Sequence, residues 1–453
     1  MRTQPRQKGA VLVLAIVFLA VFSSFAVALM TLSGTNVQIA NNLRKANVAY
    51  RAAESGLEIM RYWLDRFIMP KTTPSDEYLA TIIASLQSDL TEAGVTQIVV
   101  QNDGSIPAVS LGAATDGVFS AKLQMDPGDP RILRLSVTGA YGPMTRRITV
   151  AFKVAPYEHP IFRYGMATKG AIYFPQNPTL AGVTQHWEAD VYVDSPEMVA
   201  VDIGGNANFD GDFHFRNPDG QMCCSGSLQI GGELGQDAVA NHVFAGAEPV
   251  QFPTPETEVF KNFATGPIVD PATMDLTKGL TLTNATIPAG TNPTFGGSVI
   301  IEGVLLIESP NVVTFGHNCQ LNGVIVGDGD LASAEGNQIN FTGNFATGPF
   351  PAGDDFAALR GATGTSIIAP GFAASFTGNF SVVDGVVAVS GLHFSGNASA
   401  VVKGTILNYS DGRTVVDGNI ALNFDRSAAV KIPYGFDTQR VLAYDPISYS
   451  LVF

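Results

Sequence analysis

Phe341-Thr342-Gly343-Asn344, Phe376-Thr377-Gly378-Asn379 and Phe394-Ser395-Gly396-Asn397 spell one motif three times in the C-terminal part of the chain. Phe295-Gly296 and Phe315-Gly316 are shorter copies, and Val416-Asp417-Gly418-Asn419 is a copy with Val for Phe. The leading residues lie 20, 26, 35, 18 and 22 apart. After four of them, at a distance of 8 to 10 residues, comes a second element: Gly303-Val304-Leu305-Leu306, Gly323-Val324-Ile325-Val326, Gly385-Val386-Val387-Ala388 and Gly404-Thr405-Ile406-Leu407. A period near 20 with two or three short apolar strands per turn predicts a parallel β-solenoid. Each coil would stack its Phe and Val/Ile side chains on the next, with Gly and Asn in left-handed turns. The rival is an irregular β-sandwich, but sandwiches seldom hold one motif at a fixed period.

Working outward, the long gaps need insertions, and 346–364 is rich enough in Gly, Pro and Asp to be one. Gly170-Ala171-Ile172-Tyr173-Phe174, Asp190-Val191-Tyr192-Val193 and Asn208-Phe209-Asp210-Gly211-Asp212-Phe213 read as degenerate coils. Residues 246–294 break the repeat. Their prolines (Pro249, Pro253, Pro255, Pro267, Pro271) predict an excursion strapped along the solenoid, or a linker. Upstream, 75–93 carries apolar residues at helical spacing (Tyr78, Leu79, Ile82, Ile83, Leu86, Leu90). Strand patterns follow at 98–100, 119–125, 132–138 and 145–154, with a hairpin turn at Tyr141-Gly142-Pro143. Helix then antiparallel meander predicts a small α+β head over 70–155.

The N-terminus has a different character. Arg2, Arg6 and Lys8 precede Gly9, and from Ala10 to Leu32 the polar side chains are Ser23, Ser24 and Thr31 alone. As a helix these residues span roughly 35 Å, enough to cross a bilayer core. Leu43, Ala46, Tyr50, Ala53, Leu57, Met60, Leu64 and Phe67 continue in steps of three and four, an apolar packing seam that Pro70 ends.

Lys8-Gly9 before an apolar run resembles the prepilin cleavage site of type IV pilins and pseudopilins. Asn41-Asn42-Leu43-Arg44-Lys45-Ala46 followed by Ala52-Ala53-Glu54-Ser55-Gly56-Leu57-Glu58 is similar to the N-terminal domain of PilX-type minor pilins. The resemblance covers about residues 1–67. It implies cleavage by a prepilin peptidase between Gly9 and Ala10, retention in the inner membrane as a single-pass protein, a periplasmic or extracellular bulk, and other pilins or pseudopilins as partners. Major pilins carry a Glu at the fifth mature position, where this chain has Leu14. That departure points to a minor or tip-initiating subunit, or to membrane retention without polymerisation. Two plainer readings of the segment stay open: a secretory signal cut after Ala28, and an unprocessed membrane anchor.

Charge and chemistry narrow the function. Residues 1–66 carry eight Lys/Arg against three Asp/Glu, net +5, so the remainder of a chain of net charge −14 stands at −19. An acidic outer part without a basic stripe makes nucleic acid an unfavourable partner. Asp328 and Asp330, the Asp354-Asp355 pair, and His317 with His393 are the candidates for a metal or catalytic role. Two carboxylates in a turn are ordinarily just solvated, and the histidines beside the repeat read as coil-edge residues. No metal-ligand spacing or nucleophile motif occurs, so the sequence assigns no catalytic, cofactor-binding or metal residue. Cys223, Cys224 and Cys319 cannot all pair within one chain; a bridge among them and three free thiols remain equal readings.

The sequence thus predicts a mainly β protein. Its parts are a leader at 1–9, a transmembrane and stalk helix at 10–69, a pilin-like α+β head at 70–155, a β-solenoid at 160–431 with the excursion at about 246–294, and a C-terminal tail at 432–453. The expected function is assembly into a type IV pilus or related secretion filament, with the solenoid displayed for binding or adhesion to an unidentified extracellular or glycan ligand. The alternative is a membrane-tethered cell-envelope β-helix protein that acts on or binds polysaccharide. An open cleft lined by Asp, Arg and His would favour an enzyme, and a plain polar face a structural or adhesive role.

Overall fold

The computed structural model describes residues 10–112, 117–331, 336–378, 380–396 and 399–452. The expected leader with Gly9, and Asn379 and Asn397 of the repeat, lie outside them. The chain divides into two units, one made of the residues up to Ala155 together with Gln439 onward, the other Pro156–Thr438.

In the first unit, one helix, α1, runs without a break from Ala10 to Leu64. Strand β1 (Ile68–Pro70) and helix α2 (Tyr78–Glu92) follow, then β2 (Ser105–Ser110), β3 (Val118–Met125), β4 (Ile132–Tyr141) and β5 (Met144–Pro156). Alternation places Ile148, Val150, Phe152 and Val154 of β5 in the core, and α2 contributes Ile82, Ile83, Leu86 and Leu90. The β4–β5 hairpin turns at Gly142-Pro143, with Gly142 at φ 57°. Three expectations need correction. The helix expected over 10–69 ends at Leu64, because Ile68–Pro70 is drawn into the sheet as a strand opposite Gln439–Val441. Residues 98–100 form no strand, although Ile98 and Val100 are buried. The C-terminal segment is not a tail: Gln439–Val452 is a strand lying between β1 and β5 in a six-stranded sheet. Its pairing with β1 is antiparallel, Ile68 opposite Val441, and Leu442 joins the head core. A segment whose partners lie some 300 residues away carries no local mark of its destination.

The second unit is a parallel β-solenoid with three sheets. One contains Thr294–Phe295, Val312–Phe315, Gln338–Phe341, Ala373–Phe376, Leu392–Phe394, Thr414–Val416, Ile172–Phe174, Val199–Ile203 and Gln221–Cys224, in that spatial order. The order reveals how the chain winds. It enters in the middle, with Met166–Thr168, Ile172–Phe174 and Thr179–Gly182 as first coil, and winds to one end at Val243–Ala245. Residues from 246 on then run back along the outside, and coiling resumes at the opposite end with Leu280–Thr283, earlier than the repeat suggested. The last coil closes on the first: Ile406 pairs with Met166, Val415 with Tyr173 and Leu422 with Leu180, all parallel.

The motif phenylalanines form the spine of this unit. Phe295, Phe315, Phe341, Phe376 and Phe394 are buried and stack ring on ring, with centroids 4.9–5.2 Å apart and planes within 19°. Val416 takes the next place in register. The motif glycines serve mainly another purpose than turn handedness. Gly396 and Gly418 have positive φ, whereas Gly343 and Gly378 do not. A Cβ on Gly378 would stand 2.0 Å from the Gly343 carbonyl oxygen, so glycine there permits close stacking of successive corners. The asparagines make a side-chain ladder: Asn344 Nδ2 donates to Asn318 Oδ1 at 2.8 Å, and Asn177 Nδ2 to Asn419 Oδ1 at 3.1 Å.

The Gly-Val-Leu-Leu elements are apolar throughout because their sheet is buried on both faces. Thr365–Ala369 and Val386–Val389 are buried at every position. The outward residues Val304, Val324, Ile368, Ala388 and Leu407 form a second cluster with Phe252 and Phe260 of the returning segment. That segment is a strap: Tyr409 donates from its hydroxyl to the Pro253 carbonyl at 2.7 Å, and Phe260 packs on Tyr434 at 5.1 Å.

Candidate assembly surface

Helix α1 has two halves with different surroundings. From Ala10 to Leu43 every side chain is exposed, including Leu14 at 57% and Leu43 at 59%. Three hydroxyls of this half turn back on their own helix. Ser24 donates to the Val21 carbonyl, Thr31 to Val27 and Thr35 to Thr31, at 2.8–2.9 Å. From Ala10 to Leu32 the surface is uncharged, almost wholly apolar and long enough to cross a membrane.

The second half is fastened to the head. Ala49, Ala52, Ala53, Gly56, Leu57, Met60 and Leu64 are buried. Small residues let the backbones approach closely: a Cβ on Gly139 of β4 would lie 2.0 Å from the Ala49 oxygen, and one on Gly56 would overlap the Phe119 ring. Outside this contact, Arg61 pairs with Asp65 at 3.5 Å and lies 4.6 Å above the Tyr444 ring. The Tyr50 hydroxyl sits 3.3 Å from that of Tyr449, and hydrogen bonds to Glu54 and Tyr449 raise its pKa.

The seam expected from sequence therefore changes partner along its length. Ala53, Leu57, Met60, Leu64 and Phe67 lie in the head core, Ala46 and Tyr50 are half-buried, and Leu43 is open. Sequence reasoning missed Ala49, Ala52 and Gly56. Their own spacing of three and four was the available signal, but small residues carry too little hydrophobicity to register as a stripe. Ala10 is the first residue of the helix, and Gly9 lies outside the described residues.

On the solenoid, the outer file of the phenylalanine sheet runs Thr314, Asn340, Ser375, His393, Val415, Tyr173 and Asp202. It is polar as far as His393, and beyond Val415 the Tyr173 ring lies 5.4 Å from the Arg413 guanidinium. His393 stands on a strand with Ser375 Oγ 3.5 Å from its Nδ1, whereas His317 lies in an exposed corner, so the two do not act as a pair. Asp328 accepts from the Ser309 amide at 2.7 Å and faces Lys261 Nζ at 3.5 Å, holding a turn and the strap together. Asp354 and Asp355 begin an exposed 3-10 turn. Among the described residues no three His, Cys, Asp or Glu converge as a metal site.

The three thiols are free. Cys224 ends the ladder that continues from Phe174 through Ile203, and Cys223 points outward beside it. Cys319 is buried near the other end, paired in register with Val299 and Phe345, and burial raises its thiol pKa. At roughly 4.8 Å per rung, several rungs separate it from the other two, beyond the ~7 Å that a disulfide tolerates. The bridge to Cys319 is thereby ruled out, while Cys223 and Cys224 stand as adjacent free thiols.

Comparison with known families places the N-terminus. Residues 8–58 match the family described as PilX N-terminal. The chain carries a PilX N-terminal domain. Among solved structures it is similar to the competence-associated pilin ComZ from Thermus thermophilus, with 12% identity and a TM-score of 0.34 over 90% of this chain and 97% of that one. A search of curated proteins finds no match. The PilX N-terminal match spans the exposed half of α1 and most of the half buried in the head, so the two-part helix belongs to a pilin-like domain.

Proposed function

We propose that this chain is a minor pilin-like subunit of a type IV pilus or related secretion filament. Its α1 is held in the inner membrane, cut between Gly9 and Ala10 by a prepilin peptidase, and packed among the N-terminal helices of other pilins. The observation that carries this reading is the change of partner along one unbroken 55-residue helix, buried in its own head from Ala49 and uncovered before Arg44. An apolar surface of that length needs either lipid or neighbouring helices. Leu14 in place of the buried carboxylate of major pilins supports a minor rather than a bulk subunit. Outside the membrane the solenoid is the displayed module, and its stacked phenylalanine core suits a rigid scaffold for binding.

The test is the mature N-terminus. Mass spectrometry of the protein purified from membranes should find Ala10 as first residue, and Gly9→Leu should leave the precursor uncut, because cleavage needs close backbone approach at a residue without a side chain. A chain starting at Leu29 would overturn the proposal in favour of a secretory signal.

A further inference from the structure

The outer file of the covered sheet continues past the strap. In register it runs Ala388, Leu407, Ala167, Tyr192, His214, Phe244. Up to Tyr192 the file is sealed: that ring is fully buried, its hydroxyl accepts from the Val250 amide at 3.0 Å, and Phe252 lies against it at 6.5 Å. The strap leaves the sheet before covering the last two rungs. His214 is half-buried and Phe244 is 43% exposed. Their rings stack at 5.3 Å and 23°, and Tyr164 stands edge-on to His214 at 5.4 Å. The result is a flat aromatic shelf on rigid strands.

The shelf is the floor of a cleft of about 790 Å³ whose rim includes Arg163, Asp212, Glu248 and Gln251. With His214 in its floor the cleft has the Asp, Arg and His lining expected of an enzyme acting on polysaccharide as well as of a binder. Asp212 is anchored by one oxygen to His242 Nδ1 at 2.7 Å. The Arg163 and Glu248 side chains are exposed and make no hydrogen bond or ion pair among the described residues. An aromatic face with a negative π-surface attracts polarised C–H groups. Carboxylate, guanidinium and amide groups around it bind adjacent hydroxyls two at a time. A ring with an apolar C–H face and a belt of hydroxyls meets both demands. Two carboxylates against one guanidinium, in a part of the chain at net −19, disfavour a polyanion.

We propose that this cleft binds an uncharged oligosaccharide, with a sugar face on the His214–Phe244 shelf and its hydroxyls held by Arg163, Asp212 and Glu248. The assignment holds whether or not the chain enters a filament. The test is calorimetric titration of the full chain, in a detergent without a sugar headgroup, with cellohexaose, chitohexaose and maltohexaose. At least one should bind, and Phe244→Ala should weaken it tenfold or more. Phe244→Tyr should restore binding, which separates loss of the shelf from loss of the fold, and Glu248→Gln should weaken it a few-fold with unchanged melting. Failure of all three sugars at millimolar concentration would overturn the proposal. Full affinity in Phe244→Ala, or tighter binding of a sulfated oligosaccharide or single-stranded DNA than of any neutral sugar, would also overturn it.

Discussion

In the head, Phe119 packs against a glycine of α1 and Phe152 against Tyr444 of the C-terminal strand, each aromatic meeting something unlike itself from a distant part of the chain. In the solenoid, Phe315, Phe341 and Phe376 each meet another copy of themselves one rung away. Both units are closed by remote segments, Gln439–Val452 in one and Ala421–Phe424 on Thr179–Gly182 in the other. They differ in how a local defect spreads. A convergent core shares every residue's contacts, whereas stacked coils pass a disturbance to immediate neighbours.

The largest effect should come from the head. Leu57→Asp places a charge in a site only 5% exposed, between α1 and the sheet. A buried charge without a partner puts the cost at the high end for single substitutions, about 5 kcal/mol. Hydrogen exchange should rise together across α2, β3, β4 and the C-terminal strand, while Glu58→Asp on the exposed side should be mild. Equal tolerance at Leu57 and Glu58 would mean that the head is not one cooperative core.

Phe376→Ala removes one ring from the solenoid stack and should cost about 3–5 kcal/mol. Here the damage should stay graded. Exchange should rise first in Gln338–Phe341 and Leu392–Phe394, the strands paired with it, and leave β3 and β4 protected. Uniform loss of protection through both units would break the contrast between them.

That contrast also explains what was legible in the sequence. A stacked core repeats its residues, so the phenylalanines announced the solenoid, and the two-sided burial of one sheet was written in runs such as Gly-Val-Leu-Leu. The winding order was not legible, because Val415 beside Tyr173 is a pairing between segments without a shared pattern. The strap was visible only as prolines breaking the period. In the head, alternation in β5 and helical spacing in α2 could be read locally. The C-terminal strand could not, since its alternation is weak and its partners lie at the other end of the chain. For the candidate surface, the apolar run and the Ala-Ala-Glu stretch identified the helix. The point at which it leaves the head depends on Gly139, which sequence does not connect to Ala49.

The smallest expected effect is a difference in acid response. All six histidines belong to the solenoid unit and none to the head. His159 is 3% exposed, its ring nitrogens have no hydrogen-bond partner among the described residues, and it lies against Tyr157 at 4.6 Å. Burial pushes its pKa down to about 4, and burial lowers that of His214 as well. In the unfolded chain a histidine titrates near ~6.5. Between pH 6.5 and 4 the unfolded state therefore binds a proton that the folded state refuses, so the stabilising contribution is present above about 6.5 and drains away as pH falls. His159→Phe keeps a ring against Tyr157 and removes the titration. Its solenoid melting temperature should fall less than that of the parent between pH 7 and 4.5, with a residual slope left by His214, while the head transition shifts equally in both proteins. Parallel solenoid profiles would show that His159 is already protonated in the folded state, and that the acid response of the two units does not follow from where the histidines lie.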